Sequence, residues 1–162
     1  MEQQTRKNQR LQGYDYRKSG MFFITICTKD KRELLGKIIV DSTQISRIEL
    51  SEYGKMTKTE IENIPTHYEE VMLDRFVIMP NHLHLVLQIA ANSLQKDLRP
   101  ATTRLSMIIA MLKKKTNKAA GFNLWQRSFY DHIVRNDEDY RRIAQYIDTN
   151  PQKWAIDRFS VE

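Results

Sequence analysis

The stretch VIMPNHLHLV, residues 77–86, sets two histidines one position apart inside an apolar run with β character on both sides. The flanking segments VMLDRFVIM (71–79) and HLHLVLQI (82–89) are rich in the branched and bulky apolar residues that favour strands, and Pro80-Asn81 between them is a turn-forming pair. They predict two antiparallel strands. Side chains alternate along a strand, so His82 and His84 emerge on one face while Leu83 and Leu85 point to the other. The leucine face belongs in a core. The histidine face either holds a metal ion between two imidazoles or carries two half-buried rings with no ligand, and the strand pattern leaves both readings open.

Working outward, GMFFITICTKDKRELLGKIIV (20–40) has the pattern of a β-hairpin: an apolar run, a charged turn at Lys29 to Arg32, and a second run from Leu34 to Val40. Ser42 or Thr43 can cap a helix running to about Asn63, with Ile45, Ile48, Met56 and Ile61 on its apolar side and Gly54 weakening its middle. A polar connection from Ala91 to Pro100 leads to a second helix, Thr102 to Lys118, in which Leu105, Ile108, Ile109 and Leu112 recur at helical spacing. LWQRSFYDHIVR (124–135) is extended. Asn136 then caps a last helix from Asp137 to about Thr149, stopped by Asn150-Pro151. The order predicts an α+β, ferredoxin-like sandwich: a mostly antiparallel sheet with helices on one face.

At 162 residues, with 41% hydrophobic and 28% charged residues and only 5 Gly and 4 Pro, the chain is expected to form one domain over 14–162 behind a basic arm, 1–13. Its start has no apolar segment of the secretory kind, and no stretch approaches the roughly 18 apolar residues of a membrane span. The single cysteine, Cys27, fits a reducing cytoplasm and a buried structural thiol. The net charge of +6 favours a polyanionic partner. Arg6, Lys7, Arg10, Arg17 and Lys18 crowd the N-terminal arm, and Lys113, Lys114 and Lys115 lie late in the second helix. Tyr14, Tyr16, Trp125, Phe129 and Tyr130 are interleaved with basic residues, a mixture suited to phosphates and stacked bases, although a solvated surface over core aromatics produces the same composition.

Two histidines need a third ligand. In QYIDTN (145–150), Tyr146 and Asn150 are four residues apart and share a helix face, so an amide oxygen can join a cation with a phenol one turn away. By spacing alone, a packing tyrosine and a capping asparagine before proline are the favoured reading.

PNHLHLV (80–86), WQRSFYDHIVRNDEDYRRIAQYIDTNPQKW (125–154) and the preceding GYDYRKSGMFFITICT (13–28) together resemble the single-tyrosine transposases of the HUH endonuclease superfamily, more narrowly the REP-associated tyrosine transposases of bacteria. The resemblance runs from about Tyr14 to Trp154. It implies the HUH endonuclease fold and a nucleoid-associated enzyme that cuts and rejoins single-stranded DNA at palindromic hairpins through a 5′-phosphotyrosine. It implies His82, His84 and Asn150 as ligands of Mg2+ or Mn2+ and Tyr146 as nucleophile, with Tyr130 the competitor. His132, Arg127, Arg135 and Tyr130 would support the site or touch DNA. A non-catalytic nucleic-acid-binding domain of the same fold, or a hydrolase using metal-activated water, remains the alternative. The resemblance leaves monomer and homodimer, and attack in cis or in trans, equally open.

Overall fold

A computed structural model describes residues 20–90 and 104–159, with side chains through Trp154. Strand β1 (Gly20–Cys27) lies inside a four-stranded antiparallel sheet of order β4–β5–β1–β6, with β4 at Val71–Ile78, β5 at His82–Ile89 and β6 at Tyr130–Ile133. The β4–β5 pair forms as its pattern dictates, with Ile78 opposite Leu83 and Val77 opposite His84. Phe22, Ile24 and Ile26 of β1 and Leu83, Leu85, Leu87 and Ile89 of β5 point to one face, where they are buried.

The expected hairpin between β1 and the run after it does not form. Both edges of β1 are already bonded to β5 and β6, which leaves no free row of amides for a third partner. The chain turns away through Asp30 and Lys31, both at positive φ, and β2 (Gly36–Val40) pairs with β3 (Ser46–Leu50) as a separate ribbon. β3 occupies residues expected to be helical. SRIEL alternates in burial as a strand does, and Asp41 holds the β2–β3 turn by accepting hydrogen bonds from the Thr43 amide and hydroxyl and the Ile45 amide.

Helix α1 (Glu52–Glu62) therefore starts later than expected, at Ser51 in place of Ser42 or Thr43, where the Ser51 hydroxyl accepts from the Gly54 amide. Gly54 is there for space: a Cβ would stand 2.0 Å from the Leu35 carbonyl oxygen. Gly54→Ala is accordingly expected to destabilise the fold by about 1–3 kcal/mol, the usual cost of overpacking, despite alanine's better helix propensity. An unchanged urea midpoint would contradict that close approach.

The short α2 (Ile64–His67) follows, and α3 spans Arg104–Ala120. The expected α+β architecture with its antiparallel sheet is present, but the helices divide between the sheet's two faces. α1, α2 and α3 cover the leucine face, through Ile61, Ile64, Leu105, Ile108, Ile109 and Leu112. Helix α4 (Asp137–Phe159) crosses the histidine face, where Ile143 and Ile147 pack on Val86 together with Met21, Phe23 and Val77. That face is apolar over half its length and needs cover of its own. α4 also runs through Pro151, where a stop was expected. The arm 1–13, with Arg6, Lys7 and Arg10, lies outside the described residues, as do Tyr14, Tyr16, Arg17, Lys18 and the connection at 91–103. No described helix is long and apolar enough to cross a membrane.

Candidate active site

The strand register lays out the site. On the α4 side of the sheet, His84 stands opposite Thr25 and His82 opposite Cys27. The rings of His82 and His84 lie 4.8 Å apart. Each imidazole is fixed through Nδ1, by the Asn81 side-chain oxygen at 2.7 Å for His82 and by the Thr25 hydroxyl at 2.8 Å for His84. The Asn81 amide nitrogen faces the Lys31 carbonyl, so its oxygen accepts from His82 Nδ1–H and the lone pair of His82 is left on Nε2. His84 is buried, and its Nε2 has no hydrogen-bond partner.

Burial pushes the pKa of His82 down to about 4, aided by Lys31, and that of His84 down to about 3, aided by His82. Both rings are therefore neutral near neutral pH, as metal ligands must be. An unfolded chain would bind protons near pH 6.5 that the folded chain refuses, so stability falls as pH drops from about 6.5 toward 4, by up to about 1.4 kcal/mol per pH unit for each ring. In EDTA, the melting temperature is expected to decline over that window and to decline less in His84→Gln. Parallel profiles for the two proteins would refute the burial of a neutral His84.

α4 brings the phenol. The Tyr146 ring packs 5.2 Å from His84, at 64°, and edge-on to Phe23 at 6.2 Å, while 41% of the residue remains exposed. Trp154, two turns on, lies 5.7 Å from the His82 ring. Asn150 is halfway between them on the same helix stripe and is itself buried. Among the described residues no three His, Cys, Asp or Glu side chains are placed to hold a metal. The Nε2 atoms of His82 and His84 and the amide oxygen of Asn150 are the available set. That set, with the orphaned Nε2 of His84, fits a divalent cation.

Two clasps fasten α4 around Tyr146. At its start, Asn136 caps the helix by accepting from the Asp139 amide. Asp139 in turn accepts from His132 Nε2, Arg142 and the Arg135 amide, which together outweigh its burial and hold its pKa down to about 2. Beside the tyrosine, Arg75 of β4 reaches both carboxylate oxygens of Asp148 and the Tyr140 hydroxyl, which donates to Asp74.

Of the other residues singled out by the sequence, His132 serves the helix start through Asp139. Tyr130 stands opposite Thr25 on the same sheet face, exposed, two strands from β5. Arg127 and Arg135 are exposed. The lysines of α3 lie on a helix that packs against the other face, with Lys113 close enough to Cys27 for the two to interact electrostatically. Lys113 donates to the Gln126 and Ser128 carbonyls and burial lowers its pKa to about 8. Lys115 contacts His67 and Glu60, and Lys114 is exposed.

The sequence pattern does not single out Thr25, Asn81, Lys153 or Trp154, which the fold sets against the histidines and Tyr146. Trp154 continues the Tyr146–Asn150 spacing, but lies beyond a helix expected to end at Asn150-Pro151. Thr25 carries no local signal, since only the β1–β5 register sets it beside His84.

Residues 18–150 match the family model described as "Transposase IS200 like". The chain is 34% identical to an uncharacterized protein of Haemophilus influenzae over 97% of its own length and 94% of that protein. It is 25% identical to the REP-associated tyrosine transposase of Escherichia coli, over 85% of this chain and 70% of that one. Among solved structures, a REP-associated tyrosine transposase bound to a REP hairpin superposes with a TM-score of 0.62 at 25% identity, covering 89% of this chain and 73% of that one.

Proposed function

This chain belongs to the IS200-like transposase family, and from that premise we propose that it cuts and rejoins single-stranded DNA at palindromic hairpins, with Tyr146 as the nucleophile. The observation that carries the reading is the half-exposed phenol of Tyr146 against the buried, neutral His84, which has one ring nitrogen unpartnered. The solved relative holds a REP hairpin, and the basic balance of this chain suits the same class of substrate.

In this reaction Tyr146 Oη attacks the phosphorus of a phosphodiester. The bond to the 3′ oxygen breaks, the phenol gives up its proton, and the departing 3′ oxygen gains one. A 5′-phosphotyrosine and a free 3′-hydroxyl result, and attack by that hydroxyl on the phosphotyrosine reverses the step without ATP. A phenol with an ordinary pKa near ~10 is a weak nucleophile at neutral pH, and the phosphate's negative charge repels its anion. His82 and His84, through Nε2, and Asn150, through its amide oxygen, would hold Mg2+ or Mn2+. That ion supplies Lewis-acid stabilisation of charge on the phosphoryl oxygens. Thr25 and Asn81 keep the imidazoles oriented. The Arg75–Asp148 and His132–Asp139 clasps hold Tyr146 over the histidines of its own chain, which favours attack in cis.

The test is incubation of the protein with a single-stranded hairpin bearing a flanking strand, plus manganese, followed by denaturing electrophoresis. A protein–DNA adduct that survives denaturation supports the reading. Binding without any adduct or nick would leave a non-catalytic DNA-binding domain.

A further inference from the structure

Helix α4 does not stop at Asn150-Pro151. A proline inside a helix removes one backbone hydrogen bond and costs about 3 kcal/mol relative to alanine, yet the helix runs on to Phe159. The turn beyond Pro151 sets Lys153 and Trp154 at the site. The Trp154 ring lies 5.7 Å from His82, tilted 42°, and Lys153 Nζ stands 5.6 Å from the centre of the Tyr146 ring. The contacts form a continuous row from Tyr146 to His84, His82 and Trp154, at successive spacings of 5.2, 4.8 and 5.7 Å.

Among the described residues the apolar cluster under α4 is made by Val86, Ile143 and Ile147 with Met21, Phe23, Val77 and Val134. Trp154 is half-buried at the opposite end of the histidine pair from the phenol, with an exposed ammonium on the adjoining residue.

We propose that Trp154 and Lys153 form a nucleotide-binding subsite: Trp154 is the platform on which a base adjoining the scissile phosphate stacks, and Lys153 faces the sugar–phosphate backbone. This deepens the cleavage reading and rests on it for the path of the strand. An aromatic platform accepts any base, because every base has a π-face, so the subsite grips the strand next to the cut without choosing its sequence. The lysine adds a phosphate contact that salt weakens.

The chain has two tryptophans, and the other, Trp125, is buried with its indole N–H bonded to Thr116, so Trp154 is the one whose emission a strand at this site can change. The full-length protein is titrated in EDTA, so that binding is read without cleavage, with a hairpin carrying an oligothymidine flank. Quenching of tryptophan emission is expected in wild type and its loss in Trp154→Phe. Affinity should fall about tenfold in Trp154→Ala, less in Trp154→Phe, with unchanged circular dichroism. Lys153→Gln should reduce the slope of log affinity against log salt by about one. Abasic substitutions stepped through the flank should reveal one position that weakens wild type but adds nothing to Trp154→Ala. Should Trp154→Ala misfold, the Trp154→Phe quenching and the Lys153→Gln slope carry the test. Unquenched emission with a normal adduct overturns this subsite and leaves cleavage standing; quenching without an adduct supports base binding here and sinks the cleavage reading.

Discussion

Tyr146→Phe is expected to abolish the covalent DNA adduct, lowering strand cleavage on the order of 10³-fold or more, the scale seen when a nucleophile is removed. The substitution deletes one oxygen and keeps the ring against His84 and Phe23, so folding and hairpin affinity should match wild type. The residue is 41% exposed, and surface changes of this kind stay within about 0.5 kcal/mol. Tyr130→Phe is the matched control. Its phenol is as exposed and lies on the same sheet face, but two strand spacings, about 10 Å, separate β6 from β5. It should retain adduct formation within a few-fold, and peptide mapping should find DNA on the segment containing Tyr146. Adduct formation by Tyr146→Phe would move the nucleophile elsewhere.

His84→Ala is expected to have an effect of similar size on cleavage with little effect on hairpin binding in EDTA. The Lewis-acid contribution in such centres is several kcal/mol, which at tenfold per 1.36 kcal/mol is on the order of 10³ in rate. His82→Ala should behave alike, and excess EDTA should reproduce both losses in wild type. Two imidazole nitrogens and one amide oxygen form a mixed donor set, so Mn2+ should support cleavage at lower concentration than Mg2+, which prefers all-oxygen coordination. Full cleavage in EDTA, or by His84→Ala with either metal, would remove the cation from the reaction.

The two predictions draw on residues of different legibility. His82 and His84 could be placed on one face from sequence, because alternation along a strand is a local rule. Tyr146 and Asn150 could be placed on one stripe because four residues make about one helical turn. Nothing local said that the stripe faces the strand. That follows from α4 covering the histidine face, and the register that joins Thr25 to His84 pairs residues 59 apart in the chain, a separation that no local pattern encodes. The lysines of α3 illustrate the converse. Their clustering in sequence suggests a DNA grip, and only the fold shows that Lys113 and Lys115 also make contacts within the chain.

Short-range facts are legible along the chain: the β4–β5 pair around Pro80-Asn81, the helical core stripe of α3, the Asn136 cap, and the residue types of the candidate histidine–tyrosine–asparagine site. Tertiary structure decided which edge of β1 was free, and so sent β2 to β3. It decided which face α4 covered, and carried that helix past Pro151 to bring Trp154 to His82. The division has a physical cause. Periodicity and caps act within one or two turns of chain, whereas strand partners and helix faces are chosen by competition among distant segments for the same hydrogen-bonding edges and the same apolar surface.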